Sequence, residues 1–257
     1  MTTKNTQAGA KENAPESAPE SAPESAKEST KLMLSARGIG LTYGSRARRT
    51  PKFVALEDVS FEVYSGETLG IIGTNGSGKS SLLRILAGIH LPDEGRVESF
   101  GHAVSLLSLQ AGFLAHLTGR ENALLSGMLL GHERAFMRDH MDFIVEFTGL
   151  EAFIDKPLNT YSSGMRARLG FVVALLAEPD VLLIDEVLGV GDEEFRLKST
   201  KALRERIDSN KTVVLVSHST PTIKSLCDRV VWLDHGRLVA EGATEEVIEA
   251  YLRSFAK

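Results

Sequence analysis

Two stretches near the start of the chain, residues 34–44 and 55–67, have hydrophobic and polar patterns that predict strands. In the second stretch Val59, Phe61 and Val63 are separated by single polar residues. Such alternation is typical of a strand that has one packed face and one exposed face. We therefore predict two early strands in a small antiparallel sheet.

Later apolar segments have a different pattern. "DVLLIDE" at residues 180–186 and "TVVLVSH" at 212–218 are continuous apolar runs, and "ETLGIIG" at 67–73 is a further short apolar segment. Continuous runs are typical of parallel strands that are covered on both faces. Since helical patterns lie between them, we predict an α/β core with a parallel sheet that carries the smaller antiparallel sheet.

Helical patterns without a convincing strand fill the segment from about residue 118 to 170. "RENALLSGMLL" and "AFMRDHMDFIVEFTGL" are examples, and they predict a helical subdomain inserted into the core. Near the end, "RVVWLDHGRLVAEG" predicts a hairpin with His235 and Gly236 at its turn. Trp232 in this hairpin is expected to serve packing.

Residues 1–30 stand apart, because the motif "APES" repeats there and almost nothing apolar is available to bury. We predict a disordered tail at 1–30 and a folded domain at 31–257. The net charge of −5 offers no general attraction to nucleic acid. A single cysteine, Cys227, suits a reducing compartment, and no apolar run reaches the roughly 18 residues that span a bilayer. The N-terminus lacks the pattern of a secretory signal, so a cytoplasmic location is expected.

A glycine-rich stretch, "GTNGSGKSS", follows the apolar segment 67–73 and precedes a helical pattern containing Leu82, Leu83, Leu86 and Ile89. Backbone N–H groups in such a loop converge on phosphate oxygens, and the N-terminus of the next helix adds partial positive charge. Lysine reaches the β- and γ-phosphates, and the serine after it ligates Mg²⁺. The predicted nucleotide-binding residues are Gly73, Thr74, Asn75, Gly76, Ser77, Gly78, Lys79, Ser80 and Ser81.

Polar residues that follow two other apolar strands suit the same chemistry. Asp185 is expected to hold Mg²⁺ together with Ser80, and Glu186 to lie nearer the water that attacks the γ-phosphate. His218 follows the strand at 212–216, where a histidine is either structural or in contact with the γ-phosphate.

The segment "YSSGMRARLGF", residues 161–171, places polar and glycine residues before a helix. A helix N-terminus of this kind is a second anion site. Within one chain it duplicates the role of the loop at 73–81, so we expect it to cap a nucleotide held by another subunit.

These motifs, with "GVGD" and "LVSHS", have the order and spacing found in the nucleotide-binding subunit of an ATP-binding cassette (ABC) transporter, which residues 32 to about 240 resemble. "LTGREN", "YSSGMRARLGF" and "DEVLGVGDEEF" resemble the subunits that export lipid-linked polysaccharides. The nearest resemblance is to wall teichoic acid exporters, with capsule and O-antigen exporters nearby. The implied fold is a P-loop NTPase, and the implied cofactors are ATP and Mg²⁺.

The resemblance also implies roles for single residues. Tyr43 would stack on adenine, Ser162 and Gly164 would contact the γ-phosphate bound by a partner subunit, and Asp192 would help connect the two active sites. Glu186 would act as the general base or polarise the attacking water.

Three features depart from the family pattern. Ser163 and Met165 replace the commoner glycine and glutamine, a variant that the polysaccharide subgroup shares. The glutamine that links the γ-phosphate and metal to the membrane partner would fall on Leu109, so Gln110 is assigned this role one position away, with a surface-loop residue as the alternative. No C-terminal carbohydrate-binding extension is seen, and sugar recognition is expected to lie elsewhere.

The implied assembly is a homodimer of ATP-binding subunits on two membrane permease subunits that handle the lipid-linked polysaccharide, at the cytoplasmic face of the membrane. Residues 110–117, with Leu124, Leu125 and Met128, could face the permease or be ordinary core. A soluble ABC ATPase acting on ribosomes or DNA is the alternative of another class. A GTPase or kinase would leave residues 161–171 without a role.

Overall fold

The computed structural model describes residues 31–44, 52–107, 112–185, 192–209 and 211–255. The predicted disordered tail at 1–30 and two predicted site residues, Gln110 and Glu186, lie outside the described residues. The fold and most of the predicted site residues can be compared directly with the structure.

A three-stranded antiparallel sheet forms one part of the fold, with strand order β2-β1-β4. Strand β1 spans Leu32–Tyr43, β2 spans Phe53–Tyr64 and β4 spans Glu94–Glu98. The alternating residues Val59, Phe61 and Val63 are all buried. The prediction of two early strands is confirmed, and β2 has the predicted packed face. Strand β1, in the middle of this sheet, is instead buried over consecutive residues from Met33 to Ala36.

A six-stranded sheet forms the centre, with strand order β5-β6-β7-β3-β8-β9. All neighbouring strands in it are parallel except the last pair. Its strands are β3 (Thr68–Ile72), β5 (Val104–Leu106), β6 (Val181–Asp185), β7 (Thr212–Val216), β8 (Arg229–Asp234) and β9 (Arg237–Ala243). Strands β8 and β9 form the predicted hairpin, in which His235 and Gly236 both have positive φ.

Helices connect and cover these strands. They are α1 (Lys79–Leu86), α2 (Gly119–Leu129), α3 (Arg134–Asp139), α4 (Met141–Thr148), α5 (Ser163–Leu176), α6 (Glu193–Asp208), α7 (Thr220–Leu226) and α8 (Thr244–Ser254). None of the helices in the described ranges is both long and apolar enough to cross a bilayer. The predicted inserted region, about 118–170, contains α2 to α4, a 3₁₀ turn and the first half of α5.

The core explains why the central strands have no polar alternation. Successive residues of β7 belong to different hydrophobic clusters: Val213 and Leu215 face the cluster that includes the helices α2 to α5, whereas Val214 and Val216 face the cluster shared with α1 and the antiparallel sheet. Both faces of β7 are therefore covered, as the continuous apolar run predicted.

Two helical expectations were wrong in detail. Helix α1 ends at Leu86, and the predicted apolar position Ile89 is 59% exposed. Gly88 adopts φ of +69°, a left-handed conformation that commonly ends a helix. The pattern at residues 135–150 is not continuous either, because α3 and α4 are separated at His140.

A largely buried cluster of charged side chains lies at the end of the central sheet that is away from residues 73–81. Arg229 donates to both oxygens of Glu67, at 2.9 and 3.2 Å, and also contacts Glu241. The Arg229 and Glu67 side chains are 22% and 14% exposed. Burial raises the pKa of Glu241, and the attraction to Arg229 opposes that shift. The arginine therefore stabilises two carboxylates that are largely removed from water.

Arg229→Met is expected to lower the free energy of unfolding by about 2 kcal/mol, because it leaves both glutamates half-buried without their cation. Urea unfolding followed by circular dichroism measures the change. Arg253→Met is the matched control, since Arg253 pairs with Glu249 in an exposed i,i+4 bridge, and a change below about 0.5 kcal/mol is expected. Equal changes in the two variants would contradict a stabilising role for this cluster.

Candidate nucleotide-binding site

Three predicted site segments meet because the carboxyl ends of parallel strands share one edge of the sheet. In the register of β7, Val216 pairs with Asp185 of β6 on one side and with Ile71 of β3 on the other. The loop after β3, the last residue of β6 and His218 therefore lie next to each other. This edge is where open α/β sheets bind ligands.

The loop between β3 and α1 requires glycine at two of its positions. A Cβ on Gly73 would lie 2.2 Å from the Leu233 carbonyl oxygen, and one on Gly78 would lie 2.5 Å from the Ala55 carbonyl oxygen. Both glycines also have positive φ. The spacing Gly73–Gly78–Lys79 thus reflects close backbone packing and leaves room for a loop that wraps around a phosphate.

Lys79 holds this loop in place. Its Nζ donates to the Gly73 carbonyl oxygen at 2.9 Å and to the Thr74 carbonyl oxygen at 2.8 Å. Burial lowers the pKa of Lys79, and the attraction to Asp185 opposes that shift. An ammonium has three donors, so with two directed to the loop a third remains suited to a phosphate oxygen.

The turn of the β8–β9 hairpin supports the loop from behind. Gly236 N–H donates to the Ser77 carbonyl oxygen at 3.1 Å, and Glu57 N–H donates to the Gly236 carbonyl oxygen at 2.8 Å. The Ser77 Oγ is buried and, among the described residues, has no hydrogen-bond partner. Ser77 does not line the cavity in front of the loop. The sequence predicts the hairpin, but no pattern in it indicates a role for the turn in the site.

A cavity of about 330 Å³ lies in front of the loop. It brings together the loop, the first turn of α1, the end of β6 and His218, so eight of the predicted site residues share one space. The lining residues are Phe53, Asn75, Gly76, Gly78, Lys79, Ser80, Ser81, Asp185, Val216 and His218. A larger cavity of about 740 Å³ between α6 and α7 adjoins it at Val216 and His218. The smaller cavity is the one that contains the predicted phosphate-binding loop.

His218 lies between the two cavities and close to the charges of the site. Burial lowers the pKa of His218 most, the charge of Lys79 lowers it further, and Asp185 acts in the opposite direction. The neutral imidazole is therefore favoured at pH 7, and it can either donate or accept a hydrogen bond. This placement suits the predicted contact with a γ-phosphate.

Tyr43 reaches the site from the antiparallel sheet. Its hydroxyl oxygen lies 3.1 Å from the Ser81 Oγ, within hydrogen-bond distance. Phe53, which sequence analysis missed, lines the cavity and is directly opposite Tyr43 in the β1–β2 register. The missing signal was this register, which brings two aromatic residues ten positions apart next to each other.

Ser162 and Gly164 do not line this cavity. Ser162 is the N-cap of α5, and its Oγ accepts from the Met165 N–H at 3.1 Å. A Cβ on Gly164 would find only the Ser162 Oγ, at 3.9 Å. Packing within the chain therefore does not require glycine at 164. An open surface at this residue is compatible with close approach by a partner subunit.

Asp192 is the N-cap of α6, where its carboxylate accepts from the Phe195 N–H at 2.9 Å. Its Oδ2 also lies 3.8 Å from the Nη1 of Arg168 on α5. Asp192, to which the resemblance assigns a role in connecting the two active sites, thus contacts both α5 and α6.

The residues predicted to face a permease differ in exposure. Met128 is exposed on α2, whereas Leu124 is partly buried and packs against the core. Leu129 and Leu114 are exposed nearby in sequence. Leu124 thus contributes to the core, and Met128 and Leu129 are available on the surface.

Comparisons with known proteins agree with this geometry. The O-antigen export system ATP-binding protein RfbB of Klebsiella pneumoniae is 45% identical over 205 residues, which are 80% of this chain and 83% of that protein. The teichoic acids export ATP-binding protein TagH of Lactococcus lactis is 46% identical over 208 residues, 81% of this chain. The match covers 44% of TagH, so the chain spans less than half the length of that relative.

A solved ATP-binding cassette, a dimer in a post-hydrolysis state with ADP and Pi bound, shares the fold with a TM-score of 0.69. It is 23% identical, and the match covers 82% of this chain and 99% of that one. A family model described as ABC transporter matches residues 56–189, about half of the chain. The fold class and the family predicted from the sequence are confirmed: the chain belongs to the ABC transporter family.

Proposed function

We propose that this chain is the ATP-hydrolysing subunit of an ABC exporter that moves a lipid-linked cell-surface polysaccharide through a separate membrane permease. The observation that carries the proposal is the cavity in which the Gly73–Ser81 loop, Asp185 and His218 meet. Relatives at 45 and 46% identity with export-system names support the transport role.

In the proposed reaction the loop holds the phosphates of ATP. Its backbone N–H groups and the N-terminus of α1 bind phosphate oxygens, and Lys79 neutralises charge on the β- and γ-phosphates. His218 contacts the γ-phosphate. Glu186, which follows Asp185 directly but lies outside the described residues, is proposed to orient the attacking water.

Mg²⁺ is the proposed metal, and the residues present fit it. The Ser80 hydroxyl and the Asp185 carboxylate line the same cavity and offer the hard oxygen ligands that Mg²⁺ prefers. Among the described residues, no group of three or more His, Cys, Asp or Glu could hold a metal by itself. The proposed Mg²⁺ site at Ser80 and Asp185 therefore depends on the nucleotide phosphates for its remaining ligands. Mg²⁺ would offset the negative charge of those phosphates. Gln110, the third proposed ligand, is outside the described residues.

The proposed active unit is a dimer in which each nucleotide is held between two subunits. Ser162 is the N-cap of a 14-residue helix, and Gly164 lies in its first turn. The N-terminus of this helix suits an anion but is not part of the cavity in its own chain. In the proposed dimer, the α5 N-terminus of one subunit lies against the γ-phosphate that the loop of the other subunit holds.

Two cargo classes follow from the relatives. Sequence analysis favoured wall teichoic acid, and the similarity to TagH supports it. O-antigen export has equal support, with 45% against 46% identity. The proposed location is the cytoplasmic face of the membrane, where the permease would hold the chain.

Copurification tests the transport role. A tagged Glu186→Gln chain is expected to bind ATP, hydrolyse it very slowly and remain in the closed dimer, which stabilises the complex with its permease. Solubilising host membranes with ATP present and identifying copurified proteins by mass spectrometry should yield a polytopic membrane protein encoded beside polysaccharide genes. A teichoic acid or O-antigen gene neighbourhood identifies the cargo. Ribosomes or soluble proteins alone would contradict export and support the soluble ABC ATPase.

A further inference from the structure

Phe53 is a large apolar residue whose exposed side chain lines the cavity in front of the loop. It is the first residue of β2, 56% of it is exposed, and it lines the same cavity as Lys79 and Ser80. Burial in the protein core does not account for an aromatic residue at this position. Its place beside the phosphate-binding loop suggests a contact with a ligand.

The strand register places a second aromatic residue beside it. Tyr43 and Phe53 are direct partners in the antiparallel β1–β2 ladder. Directly opposed residues project to the same face of a sheet, with Cβ atoms about 4.5–5.5 Å apart. Tyr43 is 39% exposed, and its hydroxyl reaches the Ser81 Oγ in the first turn of α1. Tyr43 is not among the residues that line the cavity, but it lies beside Phe53 and contacts Ser81, which both line it.

The start of β2 is held firmly against the loop. Ala55 lies two residues after Phe53, and its carbonyl oxygen is so close to Gly78 that a Cβ there would lie 2.5 Å away. Ala55 is almost fully buried. The backbone two residues after Phe53 thus packs directly against the loop that would bind phosphates.

We propose that Phe53 is a second base-contacting residue, which packs with Tyr43 against the base of the nucleotide. The inference rests on the proposed binding of ATP in this cavity. A phenyl ring contacts the π-face of any base and offers no hydrogen bond to its edge. Phe53 therefore strengthens binding of ATP and GTP alike, and it does not act on the phosphates.

Nucleotide affinity of the purified full chain tests this role. By titration calorimetry, Phe53→Ala is expected to raise the Kd for MgATP and MgGTP about tenfold, and Phe53→Trp to keep the affinity near wild type. Inorganic tripolyphosphate, which has no base, should bind the wild type and Phe53→Ala equally. Phe143→Ala is the matched control, since Phe143 is 42% exposed on α4 and does not line the cavity.

Either of two results would overturn the inference. An unchanged MgATP affinity in Phe53→Ala would exclude contact with the base. An equal loss of tripolyphosphate affinity would show that Phe53 supports the phosphate-binding loop instead. A wild-type chain that binds neither MgATP nor tripolyphosphate would contradict the proposed function itself, an outcome distinct from the other two.

Discussion

Lys79→Ala is expected to lower the rate of ATP hydrolysis by at least about 10²-fold and to weaken MgATP binding. The variant loses the cation proposed to face the β- and γ-phosphates. It also loses the two hydrogen bonds that tie the ammonium to the Gly73 and Thr74 carbonyl oxygens. Because the same side chain shapes the loop and binds the ligand, affinity and turnover should fall together.

Phosphate release measures the turnover, and titration calorimetry measures the binding. Lys156→Ala is the control, because Lys156 lies over the ring of Phe153 in the helical region, away from the cavity. A circular dichroism spectrum and urea midpoint near those of the wild type would show that Lys79→Ala folds. A folded variant with wild-type affinity and turnover would remove Lys79 from the site.

The central strands could be predicted from the sequence because burial on both faces leaves a local trace. Residues 212–216 contain no charged side chain, and both faces of that strand pack against hydrophobic clusters. The end of α1 was harder to predict. The apolar spacing continues to Ile89, but the left-handed conformation of Gly88 ends the helix first.

The glycine-rich loop at 73–81 could also be recognised from the sequence, since its glycines, lysine and serines lie in one short segment. The residues that were missed come from distant segments. Phe53 reaches the site through its register with Tyr43, and Gly236 reaches it by folding the β8–β9 hairpin back onto Ser77. A pattern along the chain does not record which strands pair in which register, so these contacts required the structure.

Gly164→Asp is expected to lower turnover about 10²-fold or more while MgATP still binds to the separate subunit. Space exists for the new side chain, because a Cβ at Gly164 meets only the Ser162 Oγ at 3.9 Å. A carboxylate in the first turn of α5 is also favourable for the helix. The fold should therefore persist, and the added negative charge would instead repel the γ-phosphate held by the partner subunit.

Gly164→Asn is the control for this variant, since it has nearly the same size without the charge and should retain more activity. If size alone mattered, the asparagine and aspartate variants would be equally impaired. Equal loss of MgATP binding and turnover in Gly164→Asp would show that the segment acts on its own chain's nucleotide site or fold.

Mixing two inactive variants tests whether the site is shared between subunits. Lys79→Ala retains an intact α5 N-terminus, and Gly164→Asp retains an intact phosphate-binding loop. In a mixed dimer, the loop of the Gly164→Asp subunit faces the α5 of the Lys79→Ala subunit, so one complete site forms. Since random mixing makes half of the dimers mixed and each has one complete site, about a quarter of wild-type turnover is expected if the sites act independently. Absence of any recovery, with mixed dimers demonstrated by two different tags, would contradict shared sites that act independently.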